Sequence, residues 1–167
     1  ITSKNIRNNF MDLSNISYIE HDFHKEVYAR CKPSLGDVLL TKDGASTGNV
    51  TLNTLDEPFS LLSSVCLIKT KVELLKPSFL CYYLQSQVGL SSIVGQMTGA
   101  AIKRIVLKDI KKASIPFPSP NEQESIVKTF DGLLSETQRL ESIYQQKLAA
   151  LDALKKSLLD QAFRGEL

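Results

Sequence analysis

The chain has 167 residues, 43% of them hydrophobic, and a formal net charge of +2, which excludes a disordered chain and favours one core-bearing domain with an appendage. No apolar run approaches the roughly 20 residues that span a bilayer, so we expect a cytoplasmic protein with no membrane partner. The charge is uneven, because residues 1–120 carry 14 Lys and Arg against 10 Asp and Glu, whereas residues 121–167 carry 6 against 8. A mildly basic front is compatible with a nucleic-acid partner without establishing one.

Five short segments in the front of the chain are rich in Ile, Val, Leu and Thr and are separated by Gly, Asp, Asn and Ser, which predicts β-strands. They are ITSKNI from residue 1, NISYIEHD from residue 15, GDVLLTKDG from residue 36, GNVTLNT from residue 48 and SSVCLIKT from residue 63. The segment 76–94 predicts one helix that packs on the sheet, because Pro77 suits a first helical turn and apolar residues follow at helical spacing. Strand character returns at residues 113–116.

The polar loop between the third and fourth predicted strands contains two glycines. A Gly-rich turn after a strand can bind phosphate, but Gly44 and Gly48 lack the P-loop spacing, and the chain continues as a strand rather than a helix. The glycines therefore predict sharp turns, since glycine adopts positive φ at little cost.

The cysteines and histidines do not predict a metal site or a cofactor. Cys31, Cys66 and Cys81 are odd in number and lie among apolar neighbours, which is typical of reduced packing residues. His21 and His24 could share a metal on a helix face, but no second ligand pair follows, so two ordinary polar histidines are the simpler interpretation.

The motifs of several enzyme classes are missing from the sequence. It contains neither the Asn/Asp-Pro-Pro-aromatic loop nor the Gly-rich turn of an adenine methyltransferase, and no Gly-x-Ser-x-Gly elbow. The acid-x-Lys pair of a metal-dependent nuclease occurs only as Asp-Ile-Lys at 109–111, where a solvated charged turn is the better explanation. We therefore expect that the protein is not an enzyme and has no catalytic residues.

A proline-rich segment, ASIPFPSPN at 113–121, divides the chain, because proline removes backbone donors and disfavours helix in the preceding residue. It predicts two domains, 1–119 and 120–167. In the second domain, apolar residues recur near a 3.5-residue period after a possible N-cap at Asn121. The pattern predicts one helix from about residue 121 to about residue 163, followed by a stop at Phe163-Arg164-Gly165.

The apolar stripe of this helix is narrow, which indicates a partner helix. A helical hairpin that breaks near Gly132 or Ser135 is the alternative. The residues expected at a helix interface are Ile126, Phe130, Leu133, Leu140, Tyr144, Leu148, Leu151 and Leu158. Together, these elements predict an α+β protein: a small mixed β-sheet domain with a packed helix, followed by a long C-terminal helix of the coiled-coil type.

The loops and strand ends of the front domain carry residue types that contact DNA. Lys and Arg neutralise phosphates and face guanine, Asn matches adenine, and Ser and Thr serve both roles. The predicted DNA-binding residues are Lys4, Asn5, Arg7, Lys42, Ser46, Thr47, Ser63, Thr98, Lys103 and Arg104. The alternative is that these are ordinary solvated surface residues. The hydroxyls of the loop between the third and fourth predicted strands could instead cap their own backbone.

Several motifs occur in a characteristic order. They are Ile-Thr-x-x-Asn-Ile at the start, Gly-Asp-Val-Leu-Leu-Thr-Lys-Asp-Gly-Ala, Ser-Ser-Val-Cys-Leu-Ile, Gly-Ala-Ala-Ile at 99–102, Ile-Pro-Phe-Pro followed by Asn-Glu-Gln-Glu, and a closing Leu-Lys-Lys-Ser-Leu-Leu-Asp-Gln-Ala-Phe-Arg-Gly-Glu-Leu. In this order they closely resemble the DNA specificity subunits of Type I restriction-modification systems.

The resemblance implies a non-catalytic subunit that binds double-stranded DNA. A full subunit of that family carries two target recognition domains, each followed by a long helix, and the helices pack antiparallel. The resemblance therefore implies that residues 1–119 read one half of a split target. It also implies that the long helix docks DNA adenine methyltransferase subunits, with a restriction subunit as a further partner. The family's strand, helix and Gly-containing loop upstream of Ile1 are missing here, so we expect an incomplete recognition domain.

The chain resembles half of such a subunit. An antiparallel homodimer through the long helix would imitate the two-domain subunit and imply a palindromic split site. The alternative is a structural coiled-coil module that associates through the helix and does not bind DNA.

Overall fold

The computed structural model describes residues 1–94 and 104–166, which form five short strands and five α-helices. The strands are β1 Ile6–Arg7, β2 Phe10–Met11, β3 Val38–Thr41, β4 Val50–Leu52 and β5 Val65–Ile68. The helices are α1 His21–Cys31, α2 Pro77–Gln85, α3 Gln87–Ile93, α4 Leu107–Lys112 and α5 Pro120–Arg164. The α+β class and the long C-terminal helix are confirmed.

The strand β3 lies at the centre of a sheet with the order β4-β3-β5. Both pairings are antiparallel, with Leu39 opposite Thr51 on one side and Leu67 on the other. The β1–β2 pair is antiparallel too, so the described strands contain no parallel pairing, although a mixed sheet was predicted. Short strands joined by tight loops favour antiparallel pairing, whereas parallel pairs need a long crossover.

All four residues of β3 are buried, because the sheet has apolar neighbours on both faces. Successive side chains of a strand point to opposite faces. Val38 and Leu40 belong to the larger core cluster, with residues of α2 and α3, whereas Leu39 packs in a second cluster with Ile6 and Val65. The central strand is therefore packed on both of its faces.

Two of the three cysteines lie in the larger cluster, in agreement with their predicted packing role. Cys66 and Cys81 are buried, and all three cysteines are free thiols. Burial raises the pKa of the Cys81 thiol to about 12. Burial also raises the pKa of Cys66, and the positive charge of Lys42 opposes that shift.

Two predicted strands are wrong near the start of the chain. Ser3–Asn5 is a 3₁₀ turn, and only Ile6 of ITSKNI lies in a strand. NISYIEHD forms no strand, since Tyr18 is 91% exposed and the helix α1 begins at His21. Strand propensity measures how well a side chain fits a half-buried pleated surface, and this segment has no such surface.

The predicted helix 76–94 is two helices. Ser86 has an extended backbone with ψ of 154°, and its Oγ accepts a hydrogen bond at 3.0 Å from the backbone N–H of Gly89. Serine competes in this way for backbone donors and so begins the new helix α3. The residues at 113–116 pair with no described strand, and the short helix α4 before them was not predicted.

The helix α5 begins one residue earlier than predicted, and its cap is Ser119 rather than Asn121. The backbone N–H and the hydroxyl of Ser119 both donate to the Glu122 carboxylate, at 2.8 and 2.7 Å. Pro120 fills the first helical position, where a missing N–H costs little. The helix runs through Gly132 without a break, so the hairpin alternative is wrong.

The helix α5 ends as the sequence predicted. Gly165 has a φ of +72°. The N–H of Gly165 donates to the carbonyl of Ala162 at 3.2 Å, and the N–H of Glu166 donates to that of Gln161 at 2.9 Å. This pair of bonds is a Schellman motif, which closes a helix through a left-handed glycine.

The chain divides into two compact units, Ile1–Val127 and Lys128–Leu167. The first unit includes the first two turns of α5. The predicted functional boundary between 119 and 120 stays a prediction.

Candidate nucleic-acid interface

The loop after β3 and the segment before β5 meet at one end of the central sheet. Because the two strands are antiparallel, Thr41 at the end of β3 lies opposite Val65 at the start of β5. Just beyond, the Lys42 N–H donates to the Ser64 carbonyl at 2.7 Å. The exposed Ser63 precedes this contact. Two predicted DNA-binding residues that are 21 positions apart, Lys42 and Ser63, are thereby brought to one edge.

The β3–β4 loop is held by its own hydrogen bonds. The Thr47 hydroxyl donates to the Gly44 carbonyl at 2.7 Å, and the Gly48 N–H donates to the Thr41 carbonyl at 2.9 Å. Gly44 and Gly48 have φ of +104° and +96°, a region that glycine occupies at little cost. The predicted turns are confirmed, and the Thr47 hydroxyl caps the backbone of its own loop.

The turn at Ser3–Asn5 packs against the same loop. The Ser46 hydroxyl donates to the Ser3 carbonyl at 3.0 Å, and the Ser3 N–H donates to the Ser64 Oγ at 3.4 Å. Lys4 is exposed beside these contacts. We call this group of loops the β3-end surface, and its members are Ser3, Lys4, Lys42, Asp43, Ser46, Thr47, Ser63, Ser64 and Arg104.

Arg104 joins the β3-end surface from a distant part of the sequence. Asp43 and Arg104 form an antiparallel backbone bridge. The Asp43 Oδ1 lies 2.9 Å from the Arg104 Nε. The next residue, Ile105, donates its N–H to the Lys42 carbonyl at 2.9 Å and is 1% exposed. The sequence predicted Arg104 as a DNA-binding residue and gave no signal for Asp43, because only the fold shows that the two residues are neighbours.

Asn5 has a structural role. It is 3% exposed. Its Oδ1 accepts from the Thr2 N–H at 2.9 Å, and its Nδ2 donates to the carbonyls of Asp12 and Asn15, each at 2.9 Å. A buried amide used in this way has little left to offer a base, so we leave Asn5 out of the proposed DNA-contacting set.

Arg7 lies on β1, and two predicted residues lie outside the described residues. The Arg7 Nη2 is 3.5 Å from the Asp12 carboxylate. The pKa of Asp12 lies below its ordinary value, mainly because the Ser14 side chain donates a hydrogen bond to it. Thr98 and Lys103 belong to the part of the chain that the structure does not describe.

His21 and His24 lie on α1 as part of an aromatic stack. The ring centroids of His24 and Tyr28 are 5.4 Å apart, and the His24 Nδ1 is 2.9 Å from the Ser60 Oγ. No group of three or more His, Cys, Asp or Glu residues suited to a metal ion occurs within residues 1–94 and 104–166.

A family model described as the Type I restriction modification DNA specificity domain matches residues 2–149. The chain belongs to this family. The match includes every described element up to the first two thirds of α5. The specificity subunit of the Type I restriction enzyme EcoBI of Escherichia coli is 31% identical over 157 residues, which are 94% of this chain and 33% of that subunit.

Two solved structures of Type I restriction-modification proteins share the fold. A chain from work on the complex assembly and conformational transition of the type I R-M system has a TM-score of 0.66 and 28% identity, over 80% of this chain and 32% of that one. The HsdS subunit of Thermoanaerobacter tengcongensis has a TM-score of 0.54 and 23% identity, over 71% and 32%. This chain therefore spans about a third of the length of these family members.

The apolar stripe on α5 is exposed in the single chain. Its eight predicted interface residues range from 36% exposed at Ile126 to 62% at Leu148 and Leu151. An apolar stripe this long on a polar helix is typical of a protein–protein contact.

Among the described residues, no helix is both long enough and apolar enough to cross a membrane.

Proposed function

We propose that this chain is a DNA-recognition module of a Type I restriction-modification specificity subunit, in which the globular unit binds one half of a bipartite duplex target. The observation that carries the proposal is the β3-end surface, where loops from four parts of the chain place Lys4, Lys42 and Arg104 together. Cations gathered at one edge of the sheet suit phosphates or, in the case of arginine, guanine, and the hydroxyls between them suit either phosphates or base edges.

The residues of the β3-end surface differ in what they can offer DNA. Lys4 and Lys42 bring positive charge and hydrogen-bond donors, which suit phosphate oxygens. Ser63 is exposed and can donate or accept. Ser46 and Thr47 already donate their hydroxyl protons to backbone carbonyls, so their oxygens would act on DNA as acceptors.

The proposed role of α5 is assembly. Its exposed stripe supports packing against a second long helix, either in another copy of this chain or in a longer polypeptide, and docking of DNA adenine methyltransferase subunits. An antiparallel homodimer would place two recognition units on a palindromic split site. A restriction subunit would join such a complex, and this chain would contribute recognition without catalysis. A restriction system acts on DNA inside the cell, which supports a cytoplasmic location.

Binding to duplex DNA at several salt concentrations tests the DNA-binding role. Each phosphate contact lowers the slope of log K against log salt by about 0.9, so Lys42→Ala should weaken binding and make the slope shallower by about one unit. Lys4→Ala should act similarly. Lys25→Ala on α1, whose side chain pairs with Asp22 at 3.2 Å, is the control and should change neither quantity.

Selection of duplexes from a random library, with the methyltransferase subunit present, tests sequence reading. We expect two short specified blocks separated by an unspecified spacer. Equal binding of selected and scrambled duplexes would contradict the proposal.

A structural coiled-coil module that does not bind DNA is the second candidate function, and the exposed stripe on α5 favours it. It predicts self-association or partner binding with no affinity for duplex DNA at low salt. The salt titration therefore separates the two functions.

A further inference from the structure

An acidic side chain lies among the cations of the β3-end surface. Asp43 directly follows Lys42, and its Oδ1 is 2.9 Å from the Arg104 Nε. A carboxylate on a surface that faces phosphates repels them, so its presence weakens non-specific DNA binding. Asp43 therefore suits a DNA contact in which the orientation of the Arg104 side chain matters. It does not suit a contact that depends on positive charge alone.

The backbone beneath this ion pair is fixed on both sides. Thr41, at the end of β3, is 0% exposed, and Ile105, next to Arg104, is 1% exposed. The Ile105 N–H donates to the Lys42 carbonyl at 2.9 Å, and an antiparallel bridge joins Asp43 to Arg104. The side chains of Asp43 and Arg104 therefore extend from a backbone that the core holds in place. The Arg104 side chain is 70% exposed.

We propose that Asp43 positions Arg104 to read a guanine in the DNA half-site, an inference that rests on the proposed DNA-recognition function. The ion pair engages the Nε of the guanidinium. A guanidinium bound at Nε still offers its two Nη groups as a planar fork, which matches the O6 and N7 acceptors of guanine in the major groove. Asp43 is a positioning residue, and Arg104 is the residue that reads the base.

A phosphate contact for Arg104 fits the pair less well. The neighbouring carboxylate offsets the charge of the guanidinium and so weakens its attraction for phosphate. The same carboxylate restricts the rotation of the arginine side chain, which favours a base contact that needs two aligned hydrogen bonds. Lys4 and Lys42 are better placed to neutralise phosphates, since a point charge needs no fixed direction.

Four forms of the full chain, assembled with the methyltransferase subunit, test the proposal: wild type, Arg104→Lys, Arg104→Ala and Asp43→Asn. Each selects targets from the same random duplex library, and each is also titrated against scrambled DNA. Arg104→Lys should lower the preference for one guanine by about 5- to 150-fold and leave the other specified positions unchanged. Asp43→Asn should weaken the preference for the same guanine and tighten binding to scrambled DNA, because a negative charge is removed.

Asp22→Asn on α1 is the control, because Asp22 is another acid that pairs with a cation, Lys25. It should change neither the guanine preference nor binding to scrambled DNA. The inference is wrong if Arg104→Lys and Asp43→Asn keep the wild-type preference at every position, or if they alter different positions. It is also wrong if Arg104→Ala lowers affinity evenly for all sequences and makes the salt slope shallower by one unit. If the wild type itself selects no sequence, the proposed function fails first.

Discussion

Gln123 shows what a single buried side chain does in this molecule. It is 0% exposed. Its Oε1 accepts from the Lys76 N–H at 2.8 Å, and its Nε2 donates to the carbonyls of Leu74 and Pro118 at 2.8 and 2.9 Å. Beside it, the Lys76 ammonium pairs with Glu124 at 2.9 Å. One amide thus ties the first turn of α5 to the start of α2 and to the proline-rich segment.

Replacing Gln123 should therefore cost stability. Gln123→Leu keeps much of the side-chain volume but leaves the Lys76 N–H and two carbonyls without this partner, and each such loss costs about 1–3 kcal/mol where the group is shielded from water. We expect the free energy of unfolding of the first unit to fall by at least about 2 kcal/mol in urea titrations. Gln146→Leu, on an exposed part of α5, is the control and should stay within about 0.5 kcal/mol of wild type. Equal effects of the two substitutions would contradict this role.

The residue types that bind DNA are also the types that cap loops, and the sequence does not separate the two uses. Asn5 and Lys4 are adjacent, yet Asn5 is buried among backbone partners and Lys4 is exposed. Thr47 caps its own loop, as the alternative held, whereas Ser46 bonds to a different segment at Ser3. Which use applies depends on neighbours that are distant in sequence, so it could not be predicted from residue type.

At the scale of elements, the predictions were correct where the local pattern and the packing agreed. The strands β3, β4 and β5 form where β-branched and apolar residues occur in runs, and each of them pairs in the central sheet. NISYIEHD has a similar composition but pairs with none of the described strands, and its Tyr18 is exposed. Pairing partners supply most of the stability of a strand, so composition alone over-predicts strands.

The start of α5 depends on a reciprocal cap. The pKa of Glu122 lies below its ordinary value of 4.5, mainly because the Ser119 hydroxyl donates to its carboxylate and also because the Ser119 N–H does. A carboxyl group whose pKa is lowered in the folded state stabilises the fold above its unfolded pKa. That contribution is lost as the pH falls through the lowered folded value.

We therefore expect the stability difference between wild type and Glu122→Gln to depend on pH. Wild type should be the more stable above pH 4.5, and the difference should shrink towards zero in acid, where the glutamic acid is protonated and resembles glutamine. Urea unfolding followed by circular dichroism across this pH range measures it. In a Ser119→Ala background the pH-dependent difference should be smaller, because the main donor is gone. A difference that does not change with pH would contradict the cap.

At the scale of the whole molecule, the exposed stripe on α5 supports the proposed association with a second helix. Tyr144, Leu148, Leu151 and Leu158 are between 43% and 62% exposed. Covering one leucine fully contributes about 1.5–3 kcal/mol, so several together support a stable association. A neighbouring helix of the same kind would cover the stripe along its length.

Leu148→Glu should weaken that association at least about tenfold, because a carboxylate would enter an apolar seam. Ala153→Glu introduces the same charge on the opposite face of the helix and should leave association unchanged. Analytical ultracentrifugation of the full chain, alone and with the methyltransferase subunit, measures both. Loss of association in both variants, or in neither, would show that the stripe is not the interface.

The sequence by itself determined the family, the class of the fold, the central strands and the long helix with its apolar stripe. These follow from local patterns: runs of β-branched residues, prolines at a boundary, and apolar residues at helical spacing. The tertiary structure alone decided that Asp43 pairs with Arg104, that Asn5 and Gln123 are buried, and that one helix is broken at Ser86. These features depend on contacts between residues far apart in the chain, and local propensity carries no information about such contacts.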